Sequence, residues 1–219
     1  LMTSKVSDQK CTIAQSVAHR LLAIQAVELR PDAPFTWASG WLSPIYCDNR
    51  KTLSYPAHRS YIKQAFALQV SDRYPDVEVV AGVATGAISW GALVADELGL
   101  PFVYVRSSAK DHGKQNLIEG YLPEGARVVV IEDLISTGGS SMKAVEALQA
   151  AGAQVEGLMA VYTHGFADAE ELFGKAGVEM RTLTDYNEVI RQAVSAGYVS
   201  ERDLEMLAQW RENPSQWGR

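Results

Sequence analysis

The sequence predicts an α/β domain in which a central, mostly parallel sheet is flanked by helices. From residue 57 onward, short apolar runs alternate with segments of helical periodicity. This order is typical of strand–helix–strand crossovers, which lay down parallel strands. The 219 residues are 47% hydrophobic, enough for one domain that buries roughly 70% of its unfolded surface. We therefore expect a single domain over residues 1–219, with an N-terminal portion to about residue 55 and a core from about residue 57.

The positions of the elements follow from apolar periodicity and from stop signals. Buried strands are predicted at 77–84, 102–106, 127–131, 155–163 and 178–183. Helices are predicted at 13–26, 87–98, 140–151, 167–176 and 200–211, and Gly99, Gly152 and Asn213-Pro214 end three of them. The polar residues 107–120 predict a loop. Residues 33–51, rich in Pro, Gly, Ser and aromatic residues, predict an irregular but ordered segment.

The charge and the cysteine content narrow the class of function. Lys and Arg number 20 against 26 Asp and Glu, a formal net charge of -6, which argues against a nucleic-acid backbone as the main partner. Cys11 and Cys47 form no CxxC motif, so we expect reduced thiols in a cytoplasmic protein. The N-terminus shows no export signal, and no apolar run approaches the roughly 18 residues that span a bilayer. We therefore expect no membrane partner.

The most informative stretch is residues 128–140, VVVIEDLISTGGS. A strand buried on both faces would deliver Glu132 and Asp133 to the carboxyl edge of a parallel sheet, where ligands bind. Leu134 and Ile135 follow the acids. The next residues offer hydroxyls and unhindered N–H groups to an anion at a helix N-terminus: Ser136, Thr137, Gly138, Gly139 and Ser140. Two carboxylates repel a phosphate unless they face a neutral or cationic part of the same ligand, such as ribose hydroxyls. A ribose 5-phosphate satisfies both halves.

A plainer interpretation of this stretch is a strand, an acidic turn and a serine N-cap, because such turns are common. Two adjacent acids followed by Ser-Thr-Gly-Gly-Ser directly after a buried strand are much rarer. The stretch resembles the phosphoribosyl pyrophosphate motif of type I phosphoribosyltransferases. Residues 82–88, GVATGAI, match neither a Walker A loop nor a Rossmann fingerprint. They suit a second backbone cradle at a helix start, with Thr85 and Gly86 at its centre.

The predicted loop after residue 106 concentrates positive charge in an acidic protein. Arg106, Lys110, His112 and Lys114 fall within nine residues, as a site for a pyrophosphate leaving group needs. A solvated charged loop is the alternative, since Asp111 dilutes the patch. Residues 106–113, RSSAKDHG, resemble the catalytic loop of orotate phosphoribosyltransferases, R-x-x-A-K-[DG]-H-G. Base-specific subfamilies differ in this loop, so the resemblance selects orotate.

A third match covers residues 35–50, FTWASGWLSPIYCDNR, which resemble the F-T-x-x-S-G-x-K-S-P-x-Y segment that lies over the base in this family. With NLIEG at 116–120 and WRENP at 210–214, the resemblance extends over nearly the whole chain. It implies the type I phosphoribosyltransferase fold with a small N-terminal hood over the base site. Four positions depart from lysines found in some or most members: Ala38, Leu42, Gly86 and Ser107.

The resemblance implies transfer of ribose 5-phosphate from phosphoribosyl pyrophosphate to N1 of orotate, with Mg²⁺ held mainly by substrate and water and no direct protein ligand. Lys110, His112 and Asp133 would be catalytic. Phosphoribosyl pyrophosphate would meet Arg106, Lys110, His112, Lys114, Glu132, Asp133, residues 134–140, Thr85 and Gly86. Orotate would meet Ser136 and Tyr46. The basic loop of this family generally reaches the neighbouring subunit, so a homodimer with shared active sites is expected.

Two other functions remain open at this point. One is a phosphoribosyltransferase for uracil or a purine, and the other is a regulatory protein that senses phosphoribosyl pyrophosphate without catalysis. The acidic charge and the single domain disfavour the regulator, because such proteins usually need a basic nucleic-acid surface. The remaining histidines, His19, His58 and His164, are scattered singly, so we expect them on the surface or in packing, and not as metal ligands.

Overall fold

The computed structural model describes residues 11–108 and 117–218. In chain order, its strands are β1 Val27–Leu29, β2 Phe35–Thr36, β3 Leu42–Ser43, β4 Ile45–Cys47, β5 Val79–Val83, β6 Phe102–Val105, β7 Ile118–Glu119, β8 Arg127–Ile135, β9 Gln154–Thr163 and β10 Met180–Asp185. Its α-helices are α1 Ile13–Ala23, α2 Pro56–Arg73, α3 Ile88–Leu98, α4 Gly139–Ala150, α5 Ala167–Ala176, α6 Tyr186–Ser195 and α7 Leu204–Glu212. Short 3₁₀ helices cover Asn49–Ser54 and Glu201–Asp203.

Six strands form the central sheet in the order β10-β9-β8-β5-β6-β7. Every neighbouring pair is parallel except β6 and β7. β5 is buried along its whole length and β8 along most of it, because helices cover both faces. From β5 the chain adds β6 and then β7 on one side of the sheet, and from β8 it adds β9 and then β10 on the other side. The carboxyl edge between β5 and β8 is therefore a topological switch point, where ligands of open α/β sheets bind.

The two faces of the sheet form two separate hydrophobic cores. Alternate residues of β8 enter opposite cores, Val129 and Ile131 on one side and Val128 and Val130 on the other, as the two-residue period of a strand requires. Buried side chains of α1, α2, α3, α6 and α7 share the first core. Those of α4 and α5 share the second. Helix α4, which follows the phosphate loop of residues 134–140, thus packs on the face opposite the N-terminal helix α1.

The N-terminal portion forms a hood, residues 27–54, built from two small antiparallel sheets, β1–β4 and β2–β3, and a 3₁₀ helix. An aromatic contact fastens the hood to the end of the chain. The Trp37 ring lies 5.7 Å from the Trp210 ring, edge to face, and the indole N–H of Trp210 donates to the carbonyl of Leu42 at 3.2 Å. Trp210 is fully buried, so α7 holds the hood against the core.

The predicted fold class is confirmed, and several boundaries are corrected. The first helix ends at Ala23, because Gln25 takes a positive φ of 54° and turns the chain toward β1. β8 continues four residues beyond the predicted end, and residues 107–120 include β7, which pairs with β6. The irregular segment holds β2, β3 and β4. Helices α2 and α6 were not predicted. None of the described helices is long and apolar enough to cross a bilayer.

Candidate active site

A crevice opens at the switch point because β8 loses its two neighbours at different residues. Pairing of β8 with β5 ends at Ile131, opposite Gly82, whereas pairing with β9 continues to Ile135, opposite Thr163. Residues 132–135 therefore have a strand neighbour on the β9 side alone. The acids predicted to follow the strand lie within it. The extended backbone fixes their position more firmly than a turn would.

Glu132 is the buried member of the acid pair, the name we give to Glu132 and Asp133. It is 5% exposed. The Ser141 hydroxyl donates to its Oε2 at 2.8 Å, and the Asp133 backbone N–H donates to its Oε1 at 2.9 Å. Burial, and then repulsion by the Asp133 carboxylate, raises the pKa of Glu132 to about 8. The acid pair therefore retains a proton at neutral pH, as closely spaced carboxyl groups do in a poorly solvated site.

Asp133 is the more accessible acid of the pair. Burial raises its pKa, while a hydrogen bond from Glu132 and the positive charge of Arg50 act in the opposite direction. Asn49, which is buried in the hood, donates its side-chain amide to the backbone oxygen of Asp133 at 2.6 Å. The hood is thus tied directly to the strand that presents the acids. Asn49 was not predicted as a site residue, and no pattern in the sequence marks it.

The turn between β5 and α3 forms the opposite wall of the crevice. A Cβ built on Gly86 would lie 2.3 Å from Oδ2 of Asp133, so only glycine allows the backbone to approach the acid this closely. Thr85, which precedes it, is exposed. The predicted second cradle therefore lies next to the acid pair. A lysine in place of Gly86, as in some members of the family, would require another position of the Asp133 side chain.

The loop after β8 leads directly into the N-terminus of α4. The helix begins at Gly139, one residue earlier than predicted, and its N-cap is Gly138 with φ of 82° and no side-chain cap. Glycine is required there because the positive φ disfavours other residues. The first-turn N–H groups of a helix have no partner within the helix and favour an anion. Ser136, Thr137 and Ser140 surround this helix start, with Thr137 and Ser140 exposed.

A cavity of about 640 Å³ brings the predicted cation Arg106 together with Gly139 and Ser140 of the phosphate loop. Arg106 also forms an ion pair with Glu119 of β7 at 3.4 Å, which fixes the guanidinium at the rim. Lys143 lines the same cavity. Lys143 was not among the predicted site residues, although it follows Ser140 by three residues on α4 and therefore lies on the same helix face.

The remaining predicted residues lie outside the described ranges, in the hood or in the hydrophobic core. Lys110, His112 and Lys114 lie outside the described residues. Tyr46 lies on β4 of the hood, is 40% exposed, and its ring centroid is 5.5 Å from that of Phe35. His164 is a packing residue, as expected: it is buried among aromatic rings, and desolvation lowers its pKa to about 3.

These features define a class of protein: an α/β fold that places buried acids beside a free helix N-terminus at the switch point of its sheet, an arrangement suited to a sugar phosphate. Comparisons with known proteins agree. A family model described as Phosphoribosyl transferase domain matches residues 55–192. Orotate phosphoribosyltransferase of Porphyromonas gingivalis is 59% identical over 207 residues, which cover 94% of this chain and 99% of that protein.

Solved structures extend the agreement to the fold. The crystal structure of orotate phosphoribosyltransferase from Aeropyrum pernix is 31% identical, with a TM-score of 0.73 over 84% of this chain and 99% of that chain. The Mycobacterium tuberculosis orotate phosphoribosyltransferase in complex with 5-phospho-α-D-ribosyl 1-diphosphate is 26% identical, with a TM-score of 0.64 over 81% and 98%. The chain belongs to the phosphoribosyltransferase family and, within it, to the orotate phosphoribosyltransferases.

Proposed function

We propose that this protein transfers ribose 5-phosphate from phosphoribosyl pyrophosphate to N1 of orotate, giving orotidine 5'-monophosphate and pyrophosphate for pyrimidine synthesis. The observation that carries the proposal is the buried acid pair beside the uncapped N-terminus of α4. The names of the relatives support orotate as the base. The mycobacterial complex supports phosphoribosyl pyrophosphate as the second substrate. These names disfavour the uracil, purine and regulatory alternatives.

The acid pair and the phosphate loop divide the sugar phosphate between them. Asp133 and Glu132 hold the ribose hydroxyls and balance the positive charge that develops on the sugar as its bond to pyrophosphate breaks. The backbone and hydroxyls of residues 134–140 bind the 5'-phosphate. The site is built before substrate arrives, since β8 and α4 fix both halves, and preorganised charge is the main source of electrostatic catalysis.

The leaving pyrophosphate is bound on the other side of the crevice. Arg106 lines the cavity that also contacts Gly139 and Ser140, and the backbone at Thr85 and Gly86 offers the second cradle. Lys110, His112 and Lys114 of the basic loop complete this subsite, and Lys110 and His112 supply acid or electrostatic catalysis. The charge of these groups matches the negative charge that pyrophosphate gains as it leaves.

The donor atoms of the site suit a Mg²⁺ ion held mainly by substrate oxygens and water. Within the described ranges, no group of three or more His, Cys, Asp or Glu is placed to hold a metal. Among the described residues, the acid pair offers carboxylate oxygens at the crevice, and Mg²⁺ commonly combines few protein ligands with substrate phosphates. When bound, the ion neutralises pyrophosphate charge. The protein residues then position the sugar and keep the 5'-phosphate in place.

Orotate is proposed to bind under the hood. Ser136, at the end of β8, and Tyr46, on the hood strand β4, contact the base from two sides. The ties through Asn49 and Trp210 support this arrangement, because they hold the hood at a fixed height above β8. We also propose a cytoplasmic homodimer in which the basic loop of one subunit completes the active site of its partner.

The test of this function is a comparison of bases. Purified protein is incubated with phosphoribosyl pyrophosphate, Mg²⁺ and either orotate, uracil or hypoxanthine, and released pyrophosphate is measured. We expect orotate alone to support turnover. Equal or faster release with uracil or hypoxanthine would reject orotate as the substrate, and no release with any base would reject the enzyme.

Lys110→Ala tests the basic loop. Since the lost interaction belongs to the transition state, we expect kcat to fall about 100-fold or more while the melting temperature stays unchanged. Lys175→Ala, on the exposed side of α5, is the control. Wild-type turnover in the Lys110 variant would remove Lys110 from the mechanism.

Sharing of active sites between subunits can be tested by complementation. Lys110→Ala and Asp133→Asn proteins are mixed under conditions in which subunit exchange is demonstrated. If the loop of one subunit serves the acids of the other, one of the two sites in a mixed dimer is intact and activity returns. Absence of recovery despite exchange would contradict shared sites.

A further inference from the structure

A second cavity, of about 390 Å³, lies where α1, α2 and α6 meet, and no lining residue belongs to the proposed active site. Its polar lining comprises Gln15, Ser16, His19, Arg20, His58 and Gln192. Three of these side chains are basic, and the described lining holds no Asp or Glu. Such a grouping is unusual in a chain whose formal net charge is -6. We call this the α1/α2 cavity.

Arg20 is held in the cavity without a counter-charge. Its guanidinium carbon lies 4.1 Å from the centre of the Tyr61 ring, and its Nη1 lies 3.2 Å from Nδ1 of His58. The Nε atom is buried and has no hydrogen-bond partner. Among the described residues, no carboxylate forms an ion pair with Arg20. A buried donor without a partner costs free energy, so this partly buried arginine has bonding capacity left for a ligand.

The groups around Arg20 also suit an anionic ligand. Burial, and then the positive charges of Arg20 and His19, lower the pKa of His58, so the imidazole is held neutral beside the guanidinium. The lining residues Gln15 and Ser16 belong to the first turns of α1, whose N-terminus carries positive partial charge. An anion in the cavity would meet the fixed charge of Arg20 and the His58 imidazole, whose pKa it would raise.

We propose that the α1/α2 cavity binds a phosphate group, either free phosphate or a phosphate monoester, at a site separate from the active site. A phosphate dianion offers several acceptor oxygens, and a planar guanidinium with free N–H groups matches that geometry. The Ser16 hydroxyl and the side-chain NH₂ of Gln15, whose amide oxygen accepts from the Thr12 backbone N–H, provide neutral donors, whereas the Gln192 amide already donates to Glu188. This inference does not depend on the proposed transferase function.

The histidines make the test direct, because the chain has four of them. Their ring signals are followed by NMR at pH 7 during titration with inorganic phosphate, at ionic strength held constant with sodium chloride, and are assigned with single His→Gln variants. We expect saturable shifts of His58 and His19, and a rise of about one pH unit in the apparent pKa of His58. His164, buried in the aromatic contacts, is the internal control, and His112 reports phosphate at the active site independently.

Two variants and a second ligand complete the experiment. Arg20→Gln should abolish the saturable shift of His58, whereas Arg20→Lys, which keeps the charge, should retain it with weaker binding. Repeating the titration with ribose 5-phosphate distinguishes free phosphate from a monoester, and saturation by either supports the site. The proposal is overturned if His58 in the wild-type protein responds no differently to phosphate than to chloride. It is also overturned if the response persists unchanged in Arg20→Gln.

Discussion

Replacing Glu132 with glutamine should stabilise the protein in a pH-dependent manner. Glu132 has a pKa of about 8 in the folded chain against 4.5 as the ordinary value. The folded chain therefore holds a proton that the unfolded chain releases, and stability is lost as the pH rises from about 4.5 to about 8. At about 1.36 kcal/mol per pH unit, the cost is about 2 kcal/mol at pH 6 and about 4 kcal/mol at pH 8. Asp133, whose pKa is also raised, adds to the same trend.

Glutamine preserves the shape of the site but removes this titration. Its amide oxygen can accept from the Asp133 backbone N–H, and its amide nitrogen can donate to the Ser141 hydroxyl. The advantage of Glu132→Gln over the wild type should therefore widen by about 3 kcal/mol between pH 5 and pH 8. The same variant should lose about 100-fold in kcat/KM, because glutamine cannot release a proton to give the carboxylate that balances positive charge on the sugar.

Urea unfolding followed by circular dichroism at pH 5, 6, 7 and 8, at one protein concentration, measures this difference. Glu146→Gln, an exposed carboxyl on α4, is the control. His164 does not confuse the comparison, since its pKa of about 3 lies below the ordinary 6.5. Its contribution is complete above pH 6.5, declines as the pH falls, and is common to both proteins. A difference between Glu132→Gln and wild type that stays constant across this range would refute the retained proton.

Two further predictions concern glycine and lysine positions around the crevice. Gly86→Ala should lower kcat/KM about tenfold or more, because the new methyl group would displace the Asp133 carboxylate. The control is Gly174→Ala, where no atom lies within 4 Å of the added Cβ, and this variant should keep wild-type activity. Equal activity in both variants would contradict the close approach of Gly86 to Asp133. Leu42→Lys, which restores the family lysine before Ser43-Pro44, should lower the KM for phosphoribosyl pyrophosphate roughly fivefold, equivalent to about 1 kcal/mol of binding free energy. If steady-state kinetics give an unchanged or higher KM, a lysine at position 42 does not contribute to binding this substrate.

The central strands β5 and β8 were predictable because they are buried on both faces and are therefore rich in Val and Ile. Their order was not, since local periodicity does not say whether β8 pairs with β5 or β6. The two missed helices did carry signals. Pro56 stands at the first turn of α2, and Asp185 caps α6 through the backbone N–H of Glu188. Buried Tyr186, Val189 and Ile190 follow helical spacing on α6.

The residues of the candidate site were predictable where they belong to a recognisable stretch of sequence, whereas the contacts between stretches were not. Glu132, Asp133 and residues 134–140 form one stretch, so the carboxylates and the helix start could be recognised together. Gly86 was predicted from its glycine-rich turn, but its close approach to Asp133, 47 positions away, was not. Asn49 was not predicted, because its contact with Asp133 spans 84 positions and has no local signal. The end of β8 was placed too early because acidic residues rarely occupy buried strand positions.

The buried acids that made the predicted end of β8 too early are also the residues proposed to act on the substrate. An acid in the last part of a buried strand raises its pKa and costs stability, so chance alone seldom retains it. Here the cost is limited by two hydrogen bonds to Glu132 and by the proton that the acid pair keeps. A positively charged sugar entering the crevice would provide the missing counter-charge, and the free energy stored in the unliganded acid pair would then favour binding of the transition state over the neutral ground state.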